Sequence, residues 1–141
     1  MKIMIDFITY VKDILEEQGK TTQILFENNI ISANTFYKYK QRTPSLKTII
    51  KLANYLEVSI DYLFKLTEDN NFTTYSYNSD IFYNNLETML KSKKLSGREF
   101  CKIMQYSKDN LLRWKNGTIP SVQNLLEVAN FFNCSINDLL Q

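Results

Sequence analysis

The chain lacks histidine altogether and is poor in cysteine, glycine and proline, with 2, 3 and 2 residues respectively. Without histidine, the Ser–His and Cys–His nucleophile systems are excluded, and so are most zinc sites. The two cysteines, Cys101 and Cys134, are too far apart for a metal motif, and we interpret both as buried thiols that pack as small hydrophobes. We therefore expect no enzyme, no metal or other cofactor, and no small-molecule ligand.

Long apolar runs are also missing, and the dipeptides typical of β-hairpins are scarce. No run approaches the roughly 18 apolar residues that mark a membrane span, and the N-terminus lacks the apolar core and the cleavage site of a signal peptide. We therefore expect a cytoplasmic protein without membrane contact. Because glycine and proline are scarce while 44% of the residues are hydrophobic, the composition favours an all-α fold with a packed core.

The sequence does contain an internal repeat. With Pro44 placed over Pro120, seven of the 21 residues of 44–64 are identical to those of 120–140, and most of the others are exchanged for similar side chains. Upstream the register shifts by one residue, so that Tyr39 lies over Trp114 and Phe7 over Phe82. A repeat of this length indicates two copies of one structural unit.

Residues 1–66 and 81–141 are the two predicted domains, and the polar residues 67–80 between them are a predicted linker whose aromatic residues can dock on a domain. The apolar spacing within each domain predicts five short helices. Capping residues mark four of the five starts in each domain. The expected helix starts follow Thr21, Ser32, Ser45 and Ser59 in the first copy, and Ser96, Ser107, Ser121 and Ser135 in the second.

These segments resemble the Cro/CI-type (lambda-repressor-like) helix-turn-helix family of phage and bacterial repressors. The resemblance rests on "SGREFCKIM", "SKDNLLRWKNG" and "PSVQNLLEVANFFNCSINDLL" in the second copy, and on the corresponding residues of the first. It implies two tandem five-helix helix-turn-helix domains joined by a short polar linker. Two departures concern glycine: Ile30 and Gln105 stand where the family often has it between helices 2 and 3, and the first copy lacks it after helix 3.

The resemblance also implies a function. It favours a sequence-specific transcriptional regulator, a repressor of the phage or mobile-element type, that reads the major groove of double-stranded DNA with helix 3 of each domain. The charge distribution agrees, although the net charge is only +2. No acidic residue lies between Glu27 and Glu57, where five basic residues occur, and all eight basic residues of the second copy lie between 91 and 115. Such local excess of positive charge is what phosphate binding requires.

The candidate base contacts follow the cap of helix 3, because a recognition helix enters the major groove by its N-terminal turn. Lysine and arginine can donate to guanine, aspartate can accept from cytosine, asparagine can pair with adenine, and small apolar groups can touch the thymine methyl. The predicted base contacts are Lys108, Asp109, Asn110 and Arg113 in the second copy, and Ala33, Asn34, Thr35 and Lys38 in the first.

Phosphate contacts hold the register of a protein on DNA without specifying sequence. We expect them at the start of helix 2 and in the loop after helix 3. The predicted phosphate contacts are Ser96, Arg98, Lys115, Asn116 and Thr118 in the second copy, and Thr22, Gln23, Lys40, Gln41 and Arg42 in the first. Extended, the 14-residue linker reaches about 45 Å, more than the ~34 Å between half-sites one helical turn apart. One chain would then cover two different half-sites.

Several alternatives remain open from sequence alone. The weaker first copy and the modest net charge also fit a protein-interaction module, similar to an anti-repressor or antitoxin, in which one or both domains bind another protein. Trp114 and Tyr39 either pack in the core or stack on bases. The ends of helix 5 belong either to the core or to a homodimer contact; these residues are Tyr62, Phe64, Leu139 and Leu140. Because the sequence ends directly after the last helix, we expect regulation by a protein partner or by oligomerisation.

Overall fold

A computed structural model describes residues 6–141, apart from the side chain of Ser79. Within these residues the chain forms ten helices and no strand, which confirms the all-α prediction. The helices are α1 (Phe7–Glu17), α2 (Gln23–Glu27), α3 (Ala33–Lys38), α4 (Leu46–Leu56), α5 (Ile60–Leu63), α6 (Ser79–Ser92), α7 (Gly97–Met104), α8 (Asp109–Lys115), α9 (Val122–Phe132) and α10 (Ile136–Leu140).

The chain divides into two compact units. Unit 1 extends to Tyr75 and contains α1–α5, and unit 2 comprises Ser76–Gln141 and contains α6–α10. No helix in the described part of the chain is long and apolar enough to span a membrane.

Serine side chains cap most of the helices, as the sequence predicts. Six helices begin after a serine whose hydroxyl accepts a hydrogen bond from a backbone N–H of the first turn; these residues are Ser32, Ser45, Ser59, Ser96, Ser121 and Ser135. Such a cap contributes about 1 kcal/mol because it satisfies a donor that the helix itself leaves unpaired. The serines thus fix where α3, α4, α5, α7, α9 and α10 start.

Two of the predicted starts are wrong by one residue. Helix α2 begins at Gln23 after Thr22 rather than directly after Thr21, and α8 begins at Asp109 after Lys108 rather than after Ser107. Neither Thr22 nor Lys108 makes a side-chain capping bond, and both already have helical backbone angles. The serine hydroxyl at 107 instead donates to the Asn110 side-chain oxygen at 3.4 Å.

Each unit has one residue with left-handed backbone angles between its second and third helices. It follows α2 in unit 1 and ends α7 in unit 2. In unit 2 this residue is Gln105, with φ of +60°, as expected for a position where glycine is common in similar domains. In unit 1 it is Asn29, with φ of +55°, and not Ile30. The left-handed residue of unit 1 thus lies one position before Ile30, because a β-branched side chain resists this conformation whereas asparagine tolerates it.

Each core is built around an aromatic pair that joins the first helix of the unit to the third. In unit 1 the rings of Phe7 and Tyr39 meet edge to face at 5.5 Å, and in unit 2 Phe82 and Trp114 do so at 5.4 Å. All four residues are buried. Tyr39 and Trp114 are therefore core residues, and base stacking by their rings is excluded because stacking requires an exposed face.

The remaining open assignments concern cysteines and the ends of the last helices. Cys101 is buried as predicted, but Cys134 is only half-buried, which corrects the interpretation of two buried thiols. Three of the residues at the ends of α5 and α10 are buried in the single chain and so belong to the core; these are Phe64, Leu139 and Leu140. Tyr62 is half-buried, and its hydroxyl donates to Glu17 Oε2 at 2.8 Å.

The first part of the predicted linker is bound to unit 1. Tyr75 is 4% exposed, and its hydroxyl accepts a hydrogen bond from Ile60 N at 2.9 Å. Asn54 forms two further bonds with the backbone of Tyr75: Tyr75 N donates to Asn54 Oδ1 at 2.8 Å, and Asn54 Nδ2 donates to Tyr75 O at 3.0 Å. The expectation that aromatic residues of this segment dock on a domain therefore fits Tyr75.

Candidate nucleic-acid interface

The candidate interface of unit 2 consists of α7, a tight turn and α8. A capping box opens α7, because Ser96 Oγ accepts from Glu99 N at 3.1 Å and Glu99 Oε1 accepts from Ser96 N at 3.1 Å. At the other end Tyr106 N donates to Cys101 O at 2.9 Å, which closes the helix after left-handed Gln105. The chain then turns directly into α8.

Gly97 allows α8 to lie close to the first turn of α7. A Cβ atom at position 97 would stand 2.8 Å from Leu111 Cδ1, which is closer than side-chain carbon atoms approach one another. The close approach brings the half-buried Leu111 under α7. It also sets how far α8 projects from the unit.

The inward side of α8 is held by aromatic contacts. Trp114 is 4% exposed, and its ring lies between those of Phe82 at 5.4 Å and Tyr106 at 5.9 Å. The Tyr106 hydroxyl donates to Glu127 Oε1 at 2.8 Å on α9. Burial, together with this hydrogen bond, raises the pKa of the Tyr106 phenol well above its ordinary value. Because these contacts join α8 to α6 and α9, its opposite side is presented rigidly to solvent.

The predicted base contacts of unit 2 lie on that outward side. Lys108, Asp109 and Arg113 are exposed, and Asn110 is half-buried. The Arg113 guanidinium donates to Asn110 Oδ1 at 2.5 Å. The same oxygen also accepts from Ser107 Oγ at 3.4 Å, and an amide oxygen has two lone pairs. A bidentate contact of Asn110 with adenine uses this oxygen as well, so one of the two bonds opens when Asn110 binds the base. The structure thus brings all four candidates together and links two of them.

Leu112 is a member of this surface that the sequence did not reveal as a candidate. Its side chain is 56% exposed, although it stands between the inward-facing Leu111 and Trp114. The repeat contained a signal, because Leu112 corresponds to Tyr37 of α3, which is 41% exposed. Two large apolar residues at the same exposed position of both helices are unusual on a solvated face. An apolar side chain there can contact a thymine methyl group.

The predicted phosphate contacts of unit 2 lie around α8, and their side chains reach solvent. Arg98, Lys115, Asn116 and Thr118 are exposed. Ser96 is also exposed; its N–H donates to Glu99 Oε1 and its hydroxyl accepts from Glu99 N, which leaves the O–H of Ser96 able to donate. The N–H of Ser96 lowers the pKa of the Glu99 carboxyl, so a negative charge stands at the start of α7. Ser96 therefore stays a predicted phosphate contact through its hydroxyl, with the Glu99 carboxylate beside it.

Unit 1 presents the equivalent surface on α2 and α3. Ala33, Asn34 and Lys38 are exposed, whereas Thr35 is half-buried and its hydroxyl accepts from Ser32 Oγ at 2.8 Å. The predicted phosphate contacts are exposed except for Thr22, which is half-buried; the exposed ones are Gln23, Lys40, Gln41 and Arg42. Most of the polar side chains that the sequence proposed for unit 1 thus reach solvent, on α3, at the start of α2 or in the loop after α3.

An aromatic cluster distinguishes the α3 surface from the α8 surface. The ring of Tyr37 lies 5.3 Å from that of Phe36 and 6.2 Å from that of Phe26. The ammonium groups of Lys12 and Lys40 stand 6.0 and 5.7 Å from the Tyr37 ring centroid. Lys40, a predicted phosphate contact, is therefore partly engaged by a cation–π interaction.

An α-helix, a tight turn and a second helix with an exposed polar and basic face form the arrangement that helix-turn-helix DNA-binding domains use. In agreement, residues 85–141 match the family model of the Cro/C1-type HTH DNA-binding domain. The matched residues cover less than half of the chain and lie entirely within unit 2. Comparisons with curated proteins and with solved structures gave no significant match. The family match supports a DNA-binding transcription regulator.

Among residues 6–141, no group of three or more His, Cys, Asp and Glu side chains is arranged to hold a metal ion.

Proposed function

We propose that the chain is a sequence-specific transcriptional regulator, a repressor of the phage or mobile-element type, that reads the major groove of double-stranded DNA with α8. The observation that carries this proposal is the two-sided character of α8. Trp114 anchors its inner side in the core, and its outer side exposes Lys108, Asp109 and Arg113. A recognition helix needs this combination of rigid support and exposed hydrogen-bonding groups.

Each outward residue of α8 has a base partner that suits its chemistry. Arg113 and Lys108 donate to the O6 and N7 atoms of guanine, and Asp109 accepts from the N4 amino group of cytosine. Leu112 contacts a thymine methyl group, which adds an apolar term to the readout. Asn110 pairs with adenine when its side-chain oxygen gives up one of its two present hydrogen bonds.

The phosphate contacts of unit 2 come from Arg98, Lys115, Asn116 and Thr118, which are exposed beside α8. Each cation that neutralises a phosphate releases counterions, so the affinity falls with salt.

Unit 1 acts as a second reader through α3. Two observations support this proposal: unit 1 has the same order of five helices as unit 2, and Phe7 and Tyr39 form the equivalent aromatic pair. Because the outward residues of α3 and α8 differ, the two half-sites differ in sequence and the site of one chain is asymmetric. A homodimer would occupy a longer site, palindromic overall.

The test is selection of bound duplexes from a random DNA pool by the full chain at two salt concentrations. Wild type is compared with Lys108→Ala/Arg113→Ala and with Asn34→Ala/Lys38→Ala. Two half-sites about 10 base pairs apart, each lost with its own variant, are the expected result. A pool with no enriched sequence at low salt would contradict the proposal.

One observation favours a second candidate function for unit 1, namely binding of another protein. The exposed ring of Tyr37 is contacted by the ammonium groups of Lys12 and Lys40, at 6.0 and 5.7 Å from its centroid. Aromatic residues are enriched at the centres of protein interfaces. In that case the selection returns a single half-site, which Lys108→Ala/Arg113→Ala abolishes and Asn34→Ala/Lys38→Ala leaves unchanged. The same result would reject unit 1 as a DNA reader.

A further inference from the structure

Residues 70–75 form a strap that crosses the start of α5 and is bound to unit 1 at both ends. At one end, Ser59 N donates to Asn70 Oδ1 at 2.8 Å, and Asn70 Nδ2 donates to Glu57 O at 3.0 Å. At the other end, Tyr75 is almost fully buried and is held through Ile60 N and the Asn54 amide. The strap is therefore part of unit 1 rather than free linker.

The local sequence of α5 explains why unit 1 uses the strap. In α10 of unit 2, the N–H of the capping residue Ser135 donates to the carboxylate of Asp138, three residues further on. The corresponding residue in α5 is Tyr62, whose side chain has no carboxylate to return to Ser59 N. Asn70 supplies the missing acceptor from the strap. The Tyr75 hydroxyl does the same for Ile60 N, another N–H that the helix itself leaves unpaired.

The strap shortens the chain that joins the two units. Only residues 76–78 lie between Tyr75 and the start of α6 at Ser79. The covalent path from Tyr75 to Ser79 is at most about 14 Å, against the ~45 Å expected for 14 free residues. The sequence prediction of a 14-residue tether therefore holds only if the strap is released.

We propose that Tyr75, Asn54 and Asn70 are positioning residues that set the tether length, and thereby restrict which spacings of two half-sites one chain can occupy at once. The inference rests on the proposed function, in which α3 and α8 both read DNA. A tether that is short compared with a turn of DNA favours few spacings, because effective concentration falls sharply once the tether cannot span the sites. The three residues act through tether length and contact no base.

The experiment compares two insertions of the same six glycine and serine residues in the full chain. One insertion follows Ser76, outside the strap, and the other follows Glu68, between α5 and the strap. Binding is measured on duplexes that carry both selected half-sites at spacings increased in steps of one base pair, and on duplexes with each half-site alone. The insertion after Glu68 is the matched control, since it adds equal length on the other side of the Asn70 anchor.

If the strap sets the tether, wild type and the Glu68 insertion share one narrow range of preferred spacings. The Ser76 insertion adds up to about 20 Å of reach and widens that range by several base pairs, with affinity for single half-sites unchanged. Adding Asn70→Ala and Tyr75→Ala to the Glu68 insertion releases the strap and is expected to widen the range as well.

Equal widening by the two insertions would overturn the inference, because it would mean that the strap does not hold. A wild type that tolerates every spacing equally, or insertions that both leave the range unchanged, would overturn it too. Failure of the proposed function looks different: α3 or α8 would then select no half-site, and the inference would fall with it.

Discussion

The indole of Trp114 meets the ring of Phe82 edge to face at a centroid distance of 5.4 Å, and the phenol of Tyr39 meets Phe7 in the same way at 5.5 Å. Edge-to-face pairs of this kind stabilise a core beyond the area they bury. In both units the pair joins the helix that carries the candidate base contacts to the first helix of the unit. The position of the outward face of each such helix therefore depends on the packing of its buried aromatic residue.

Trp114→Ala is expected to destabilise unit 2 by about 3–5 kcal/mol, the usual cost of removing a buried large aromatic side chain. Trp114→Tyr, which installs the residue found at position 39, should cost much less. Thermal unfolding followed by circular dichroism measures both. A Trp114→Ala variant that unfolds like wild type but loses DNA affinity would contradict the core assignment and restore base stacking.

Leu112→Ala is expected to lower the affinity of the chain for its selected site by about three- to tenfold, because the thymine methyl loses its apolar contact. Replacing that thymine by uracil in the DNA removes the same methyl group from the other side. The two changes together should therefore weaken binding little more than either one alone. The control is Ile103→Ala, which removes an apolar residue of similar exposure from α7.

A different result for Leu112→Ala combined with the uracil substitution would contradict the contact with the thymine methyl group. If the effects of Leu112→Ala and of uracil multiply at every thymine of the site, the leucine does not contact a thymine methyl.

Lys115→Ala is expected to weaken binding to specific and to unrelated DNA by a similar factor. A phosphate contact contributes no sequence information but releases about one counterion, so the slope of log affinity against log salt should fall in magnitude by about 0.9. Arg113→Ala should instead relax the preference for one base. The measurement is a salt titration of DNA binding by fluorescence anisotropy. An unchanged slope for Lys115→Ala would remove this residue from the phosphate contacts.

Local signals were sufficient to predict much of the fold. A serine cap is a short-range interaction between residues three apart, so six helix starts could be predicted from sequence. The repeat placed Tyr39 over Trp114, and the two residues do occupy equivalent buried positions in their units. The start of α8 was missed because Ser107 bonds to the Asn110 side chain rather than to a backbone N–H.

Contacts between distant residues could not be predicted in the same way. Asn54 and Tyr75 are 21 residues apart, and no local pattern shows that an asparagine in α4 binds the backbone of a polar segment. The exposure of Leu112 depends on how widely the apolar face of α8 is covered by its neighbours, which periodicity alone does not give. The bond between Arg113 and Asn110 depends on side-chain conformations.

Gln105→Gly is expected to stabilise unit 2 by about 0.5–1 kcal/mol. Gln105 has φ of +60°, a conformation that costs a residue with a Cβ roughly 1–2 kcal/mol, and the greater freedom of glycine in the unfolded chain offsets part of the gain. Asn29→Gly is the matched comparison in unit 1. It should gain less, because asparagine tolerates the left-handed region. Melting temperatures test both, and a destabilised Gln105→Gly would show that its side chain contributes a contact that outweighs the strain.

Tyr106→Phe is expected to destabilise unit 2 by about 1–3 kcal/mol at neutral pH, because the partly buried hydrogen bond to the Glu127 carboxylate is lost. The Tyr106→Phe variant should also lose less stability than wild type as the pH rises into the alkaline range. Burial first, and then the bond to Glu127, raise the pKa of Tyr106, so the folded state holds the phenolic proton more tightly than the unfolded chain, where tyrosine titrates near pH 10. The contribution is therefore complete below about pH 10 and is lost as the pH rises beyond it.

Urea denaturation at neutral pH and at a series of alkaline pH values measures this dependence. Glu127→Gln is the matched variant, since it keeps an acceptor for the Tyr106 hydroxyl and removes the charge. It should retain most of the alkaline dependence, because burial is the first cause of the raised pKa. If Tyr106→Phe loses stability at high pH as steeply as wild type, then ionisation of the Tyr106 phenol is not the cause of that loss. The support that Tyr106 gives to α8 would then come only from the contact of its ring with Trp114.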